Sequence, residues 1–429
     1  MSRVDRALGV SAAGGFGAAG VACGIKPSGQ LDLALVVGTP GTVAVGVFTT
    51  NLVVAAPVVW SRARLAASAD ARVVVLNSGN ANACTGPAGD EVVVATARRA
   101  AAELGCRPEQ VLACSTGVIG VPLDAERVGD GIAKAAATLG HREGQAAAEA
   151  IRTTDTVAKQ AGVVLPAGVT VGGMAKGAAM LAPAMAPPPG AAGHAGEVGH
   201  ATMLAVLTTD AVAEPADLRA ALADAVDATF NRITVDGAQS TNDTVLLLAS
   251  GSSGARLHPG ELADAVRAVC DDLATQMLAD AEGGTKVVSV HVGGAGTVAA
   301  ALAVARRVAD SPLVKTAVYG GDPNWGRILQ AAGTAGVAFD PAAVRLEIGG
   351  GPGREGPGVA GAAEGGGPGP ELPVALVRHG APTGADASAA MAGPDVRIRL
   401  HLGGPGPWAC VRTTDLTPEY VRLNSEYTT

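Results

Sequence analysis

The chain has 429 residues, of which 48% are hydrophobic and only 2% aromatic, so a large core has to be built from Ala, Val, Leu and Ile. The formal net charge is -8, and Lys and Arg are scattered without a basic stripe, which argues against a nucleic-acid partner. The six cysteines form no C-x-x-C pair, so we expect reduced thiols in a cytoplasmic protein.

The N-terminal part alternates short Val-rich segments with turns. Segment 33–60 carries no charge and is long enough to span a bilayer. However, Gly38, Pro40, Gly41 and Pro57 divide it into short pieces, and this pattern favours buried strands. We therefore predict strands in the segments LDLALVVG, TVAVGVFTT, RVVVLNSGN and QVLACSTGVIG.

Helical segments alternate with these strands. Segments 90–105 and 125–140 both end in Gly, as is typical of a helix C-terminus. Two longer helical segments, 214–233 and 258–284, follow later in the chain. This alternation is typical of a layered α/β architecture.

Two segments are dense in Gly and Pro, residues 187–200 and 349–373. They contain too few apolar side chains to form a core of their own. We predict that both are flexible surface insertions.

The sequence has no H-E-x-x-H and no clustered histidines, which argues against a metal site, and no G-x-S-x-G, which argues against a serine nucleophile. The remaining candidate nucleophile is a threonine hydroxyl. We therefore expect no metal and no cofactor. Thr202 follows the small Ala201 and opens an apolar segment. If the peptide bond before Thr202 is cut, the new α-amino group can act as the base for the Thr202 hydroxyl. On these features alone, an ordinary threonine at the start of a strand is the simpler interpretation.

Eleven short blocks occur in order along most of the chain. They are AAGVACGIKPSGQLDLALV, GVFTTNLVVAAPVVWSR, LNSGNANACTG, STGVIG, RTTDT, GGMAKGAAMLAP, ATMLAVLTTDA, TVDGAQSTNDT, AEGGTK, SPLVKTAVYGGDPNWGRI and YVRLNSEYTT. Because so many of its blocks occur in this order, the chain resembles the ornithine acetyltransferase family. Members of this family, also called glutamate N-acetyltransferases, are self-processing enzymes of arginine biosynthesis.

The resemblance implies that the chain cleaves itself between Ala201 and Thr202, and that Thr202 then accepts an acetyl group. It also implies an oxyanion hole in the STG block, made by the Thr116 hydroxyl and the Gly117 backbone N–H. Such a donor often contributes about 3 kcal/mol to transition-state stabilisation. N2-acetyl-L-ornithine would donate the acetyl group, and L-glutamate would accept it from the enzyme.

The resemblance further implies a set of substrate contacts. An amino-acid substrate needs a cation for its carboxylate, which suits Lys176, and an anion for an ornithine ammonium, which suits Glu282. A solvated surface charge is the alternative for both residues. Thr154 adjoins Thr153, and spacing alone does not separate the two. The implied contacts are Thr153, Lys176, Thr202, Glu282, Asn424 and Thr429.

We predict an α/β fold, a layered helix-sheet-sheet-helix sandwich with a smaller C-terminal α/β lobe from about residue 300. Cleavage would give an alpha fragment, 1–201, and a beta fragment, 202–429, and such pairs would associate as dimers, that is, as heterotetramers. Two departures from the family pattern stand out: the insertion 187–201 before Thr202, and Ala179 where the family usually has Gly. The insertion either leaves the catalytic end unaltered or slows or abolishes the cleavage.

Several alternatives stay open at the level of sequence. A related self-cleaving amidase or aminopeptidase would use the same nucleophile but let water deacylate it. A paralogous acetyltransferase of specialised metabolism, or a binding protein whose processing is disabled, would keep the same blocks. The sequence also leaves open whether acetyl-CoA serves as a second acetyl donor. In GGDPNWGRI, we favour a tight turn in which Trp325 anchors the start of a helix over a role in the site.

Overall fold

The structure, a computed structural model, describes residues 3–188, 203–350 and 373–426, which form two compact units. Unit 1 contains the described residues up to Asn231 and from Ala238 to Met277. Unit 2 contains Arg232–Gly237 and the described residues from Leu278 onward. No helix in these ranges is long and apolar enough to cross a membrane. All six cysteines are free thiols.

Unit 1 carries the strands and helices from β1 to β10 and from α1 to α6. The strands are β1 (Phe16–Val21), β2 (Leu33–Gly38), β3 (Val43–Thr49), β4 (Val73–Asn80), β5 (Val111–Val118), β6 (Lys159–Val164), β7 (Thr170–Lys176), β8 (Met185–Ala186), β9 (Leu204–Thr209) and β10 (Thr244–Ala249). The helices are α1 (Ala56–Ala67), α2 (Gly86–Leu104), α3 (Ala125–Ala137), α4 (Gly144–Ala150), α5 (Pro215–Ala228) and α6 (Pro259–Ala279).

These strands form two sheets, a four-stranded sheet in the order β1-β2-β4-β5 and a six-stranded sheet in the order β6-β7-β9-β10-β3-β8. Neighbouring strands are antiparallel except for the parallel pairs β4/β5 and β9/β10. Every residue of β2, β9 and β10 is buried. A strand that is covered on both faces reads as a continuous apolar run, and these segments do so.

The inner faces of the two sheets share one core. Phe16 and Leu76 from the four-stranded sheet and Phe48 and Leu246 from the six-stranded sheet belong to the same buried cluster, which α1 and α4 complete. The cluster is rich in alanine and valine, so the layers approach closely, as expected for a chain with so few aromatic residues.

The outer faces of both sheets are covered by helices. Leu35 and Val75 of the four-stranded sheet pack with Ala97 of α2 and Ile132 of α3. On the six-stranded sheet, a Cβ atom at Gly173 of β7 would meet side chains of α6 within about 3.4 Å. The layers of unit 1 therefore run helix, sheet, sheet, helix, and the predicted α/β sandwich is confirmed.

Unit 2 is built on one six-stranded sheet in the order β14-β13-β12-β15-β11-β16. Val290, Ile348 and Val411 from this sheet share a buried cluster with Val304 of α7 and Ile328 of α9. The strands are β11 (Val287–Gly293), β12 (Arg345–Gly350), β13 (Val374–Arg378), β14 (Ala381–Pro382), β15 (Asp395–His401) and β16 (Ala409–Thr414). The helices are α7 (Val298–Ala309), α8 (Pro312–Tyr319), α9 (Trp325–Ala332) and α10 (Pro418–Glu426).

Two details refine the expectations from sequence. Helix α2 ends at Leu104, with the predicted glycine, Gly105, as its C-cap, but α3 ends earlier than predicted, at Ala137, because Thr138 caps it and Gly140 pairs with Ala18 instead. Helix α9 starts at Trp325, as predicted for the GGDPNWGRI block. Of the two Gly/Pro segments, residues 189–200 and 351–372 lie outside the described residues.

Candidate active site

The end of β5 carries Thr116 and Gly117, the two residues predicted to form the oxyanion hole, which we call the oxyanion step. Strand β5 runs parallel to β4, and the register becomes irregular where Gly79 faces Gly117. Gly117 has a φ of +131°, and a Cβ atom there would lie 2.3 Å from the carbonyl carbon of Gly79. Only glycine fits this backbone conformation and this close approach.

The Thr116 side chain is buried and accepts a hydrogen bond of 3.3 Å from Lys176 Nζ. Lys176 is the last residue of β7, so this contact joins the ends of strands from the two sheets. Because an ammonium group can only donate, the Thr116 hydroxyl keeps its own hydrogen for another acceptor. A hydroxyl donor beside a cation is suited to stabilise a developing oxyanion.

Asp155 is the buried counter-ion of this group. Its carboxylate accepts hydrogen bonds of 2.7 Å from Lys159 Nζ and from the Gly177 backbone N–H, and it lies 4.0 Å from Lys176 Nζ. Burial raises the pKa of Asp155, but the charges of Lys176 and Lys159 and the two hydrogen bonds outweigh burial and hold this pKa well below its ordinary value. The carboxylate is therefore ionised and offsets charge on both lysines.

Thr153 and Thr154 lie, half-buried, in the loop that follows α4. The Thr153 backbone N–H donates to Asp155 Oδ2 at 3.1 Å. Arg152 Nη2 donates to the backbone carbonyl of Asp155 at 2.7 Å. The loop that carries both threonines is thus hydrogen-bonded around the same aspartate that faces Lys176.

Met203, the residue after Thr202 in the chain, is hydrogen-bonded to Asp243. The Met203 backbone N–H donates to Asp243 Oδ1 at 2.6 Å, and both residues are buried. Strand β9 begins at the next residue, between β7 and β10. Thr202 and Ala201 themselves lie outside the described residues.

Asn242, the residue before Asp243, connects the start of β9 to the four-stranded sheet. Its buried Nδ2 donates to the backbone carbonyls of Ala81, at 2.7 Å, and Ser115, at 2.8 Å. Asn242 therefore contacts Ser115, the residue before the predicted oxyanion step. Asp243 contacts Met203, the residue after the predicted nucleophile, Thr202.

Unit 2 contains the second group of predicted residues. Asn424 Nδ2 on α10 donates to Glu282 Oε2 at 2.9 Å. The loop of Glu282 turns at Gly283, which has a φ of +63° and where a Cβ atom would lie 2.4 Å from the Tyr420 backbone nitrogen. Thr417 Oγ1 donates to the Gly283 carbonyl at 2.7 Å, so α10 packs tightly on this loop.

The structure thus brings Lys176 to Thr116 in unit 1 and Asn424 to Glu282 in unit 2. Thr429, like the cleavage pair, lies outside the described residues. The functions of all these residues stay predictions.

Sequence reasoning missed three buried polar residues: Asp155, Asn242 and Asp243. The available signal was their position inside the blocks RTTDT and TVDGAQSTNDT. Within the described residues, no group of three His, Cys, Asp or Glu side chains could hold a metal ion.

Comparison with known proteins identifies the family. The model of the ArgJ family matches residues 17–429. The arginine biosynthesis bifunctional protein ArgJ of Streptomyces coelicolor is 45% identical over 421 residues, which cover 98% of this chain and 100% of that protein. The protein of the same name from Mycolicibacterium paratuberculosis is 45% identical over 434 residues, 99% of this chain and 98% of that protein.

Among solved structures, ornithine acetyltransferase complexed with ornithine, from Mycobacterium tuberculosis, is 49% identical in sequence. The match covers 43% of this chain and 100% of that chain, with a TM-score of 0.42. The resemblance carried by the sequence blocks is confirmed by the match to the family model and by the bacterial relatives, and the chain belongs to the ArgJ family.

Proposed function

We propose that this protein is an acetyltransferase of arginine biosynthesis, which moves an acetyl group from N2-acetyl-L-ornithine to L-glutamate through an ester on Thr202. Membership of the ArgJ family is the basis for the substrates. The observation that carries the chemistry is the buried dipeptide of Asn242 and Asp243, which contacts Ser115 beside the oxyanion step and Met203 beside the nucleophile.

The first step of the proposal is self-cleavage. Thr202 Oγ attacks the carbonyl carbon of Ala201, the peptide C–N bond breaks, and the nitrogen takes the hydroxyl proton. Water then hydrolyses the resulting ester, which leaves a carboxylate on Ala201 and a free hydroxyl and amine on Thr202. The products are the fragments 1–201 and 202–429. The amine supplies the base that an isolated threonine lacks.

Acetyl transfer follows in two half-reactions. Thr202 Oγ attacks the acetyl carbonyl of N2-acetyl-L-ornithine, and its proton passes through the Thr202 amine to the leaving ornithine nitrogen. The amine of L-glutamate then attacks the ester carbonyl, the C–O bond to Thr202 breaks, and the proton lost by the glutamate nitrogen restores the Thr202 hydroxyl. In both steps the Thr116 hydroxyl and the Gly117 N–H donate to the oxyanion, and removal of one such donor often costs about 3 kcal/mol.

In this proposal, different charged residues bind different charged groups of the substrate. Lys176 binds the α-carboxylate, since it is a buried ammonium that lies beside Thr116 of the predicted oxyanion hole. Glu282 binds the side-chain ammonium of ornithine, with Asn424 hydrogen-bonded to it. Thr153 and Thr429 complete the predicted substrate contacts.

The wider setting belongs to the same proposal. The relatives are named bifunctional, which favours acetyl-CoA as a second acetyl donor for glutamate. We propose that the two fragments stay together as a pair, that pairs associate as dimers, and that the enzyme works in the cytoplasm.

The cleavage is tested by denaturing electrophoresis and N-terminal sequencing of the purified protein. Two bands are expected, and the second chain should begin Thr-Met-Leu-Ala. Thr202→Ala should give a single band, because it lacks the attacking hydroxyl, whereas Thr202→Ser should still be cleaved. Two bands from Thr202→Ala would mean that an external protease cuts the Pro/Gly segment, and the proposed mechanism would fail.

The transfer is tested by following acetyl from labelled N2-acetyl-L-ornithine or acetyl-CoA. Labelled N-acetylglutamate that forms only when glutamate is present supports the proposed function. Labelled free acetate, formed equally with and without glutamate, would identify a hydrolase instead.

A further inference from the structure

Ser115, the residue before the oxyanion step, is held by two asparagines. Its hydroxyl donates to Asn77 Oδ1 at 2.6 Å, and its backbone carbonyl accepts a hydrogen bond of 2.8 Å from Asn242 Nδ2. Each of the three residues is at most 5% exposed. Because a buried polar group that loses its partner is costly, these two contacts fix where Ser115 lies.

The two asparagines approach Ser115 from different layers of unit 1. Side chains alternate between the faces of a sheet, and Thr116 points inward to Lys176, so the Ser115 side chain points outward. There Ser115 and Asn77 line a small cavity beneath α2 and α3. Asn242 comes from the other layer, since it lies two residues before β10 of the six-stranded sheet.

Asn77 also spans the irregular register at the end of β4. Its Nδ2 donates to the backbone carbonyl of Asn80 at 2.8 Å, and Asn80 pairs with both Thr116 and Val118. Such a bulge redirects the groups beside it. Both ends of the Asn77 amide are thus used, one on Ser115 and one on the bulge.

These contacts bear on the direction of the two predicted donors. The Ser115 carbonyl belongs to the peptide group that carries the Thr116 N–H, so Asn242 fixes the plane from which Thr116 and Gly117 continue. An oxyanion hole is effective when its donors already point to the position that the oxyanion will occupy. A small displacement of such groups lowers the rate steeply.

We propose that Ser115 is a positioning residue of the reaction. Held by Asn77 through its hydroxyl and by Asn242 through its carbonyl, it fixes the direction in which the oxyanion step presents its donors. Ser115 acts only through these neighbours and does not itself touch the substrate. This inference rests on the proposed function.

The test compares Ser115→Ala with a matched control, Ser61→Ala. Ser61, on α1, is a buried serine whose hydroxyl is hydrogen-bonded to the backbone of Ala113, two residues before Ser115 on β5. Both substitutions remove a buried hydroxyl and its hydrogen bonding at the four-stranded sheet. Only Ser115→Ala removes a contact next to the oxyanion step.

The measured quantity is the release of ornithine from N2-acetyl-L-ornithine, because this step requires acetylation of Thr202 whichever acceptor follows. Ser115→Ala should lower kcat and kcat/KM by a similar factor of about ten, since the lost interaction acts in the transition state. Ser61→Ala should stay within about twofold of the wild type, although denaturant unfolding should show a loss of stability in both variants.

Three further variants separate positioning from a general loss of structure. Ser115→Thr keeps the hydroxyl, and the cavity that Ser115 lines can take the added methyl group, so kcat should return nearly to the wild-type value. In a Thr116→Ala background, Ser115→Ala should cost much less than in the wild type, because one of the donors through which it acts is already absent. If Ser115→Ala fails to fold, Ser115→Cys, whose thiol is a weak donor, should show a smaller loss of kcat.

Equal kcat values for Ser115→Ala and Ser61→Ala, or an undiminished loss in the Thr116→Ala background, overturn the inference. A wild-type kcat in Ser115→Cys does the same where Ser115→Ala does not fold. If the wild type releases no ornithine, the proposed function itself fails. An active wild type with an unaffected Ser115→Ala refutes the positioning role alone.

Discussion

Asp155 shows how one residue sets the charge of the site in unit 1. It is fully buried between Lys159 and Lys176, and its carboxylate also accepts the backbone N–H groups of Thr153 and Gly177. Its loss would remove a carboxylate that offsets the charge of both buried ammonium groups. Removing one partner of a buried ion pair is among the most destabilising changes in a protein.

We predict that Asp155→Asn lowers the free energy of unfolding at pH 7 by about 3 kcal/mol. Because the folded pKa of Asp155 is depressed, its contribution is present above the unfolded value, near pH 4, and is lost as the pH falls through the folded value. The difference between wild type and variant should therefore shrink at pH values below about 4.

Denaturant unfolding at several pH values measures this difference. Asp90→Asn, at an exposed position of α2, is the control and should stay close to the wild type. A loss of stability that is the same at pH 3 and pH 7 would show that the ionised carboxylate is not its source.

At the scale of elements, α10 depends on the turn at Gly283. The Thr417 hydroxyl hydrogen bonds to the Gly283 carbonyl, and the Tyr420 backbone lies against the Gly283 Cα. This packing sets the position of Asn424 relative to Glu282. A short terminal helix with no buried residue of its own relies on such contacts to stay ordered.

We predict that Gly283→Ala displaces α10 and raises the KM for N2-acetyl-L-ornithine several-fold. The substitution adds a Cβ atom 2.4 Å from the Tyr420 backbone nitrogen at a φ of +63°. The strained φ alone costs about 1–2 kcal/mol. The neighbouring Gly284→Ala has its nearest contact at 3.4 Å and should retain the wild-type KM. Equal effects of both substitutions would contradict this role of the turn.

At the scale of the whole molecule, the proposed cleavage cuts between strands of one sheet. In the six-stranded sheet, β9 and β10 come after residue 202, while their outer neighbours β7 and β3 come before it. β9 pairs with β7 over residues 204–209, and β10 pairs with β3 over residues 244–249. The two fragments are therefore parts of a single hydrogen-bonded sheet and a single core.

We predict that the cleaved protein elutes as one species in native size-exclusion chromatography and separates into two chains only in denaturant. The physical reason is that separation would expose both edges of the β9/β10 pair and the apolar core beneath it. Thr202→Ala, uncleaved, should elute at the same volume. Dissociation of the cleaved fragments in native buffer would contradict this prediction.

Local sequence patterns were sufficient for most elements of unit 1 and for the family. The strands β2, β3, β4 and β5 each contain an apolar run rich in Val, Leu or Ala next to turn residues, and α2 is capped by a glycine, so each is encoded by its own few residues. The blocks that identify the family are also local, and they are the basis for the predicted roles of Thr116, Lys176, Glu282 and Asn424.

Only the tertiary structure decided which of these elements are neighbours and which buried polar groups meet. Asn242 and Ser115 are 127 residues apart in the chain and Lys176 and Thr116 are 60 apart, yet each pair is in hydrogen-bond contact. Strands buried on both faces carry no alternation that specifies their order or register, so no local pattern encodes β9 between β7 and β10. That order, and the ionised Asp155 beneath Lys176, follow from packing two sheets face to face over one core.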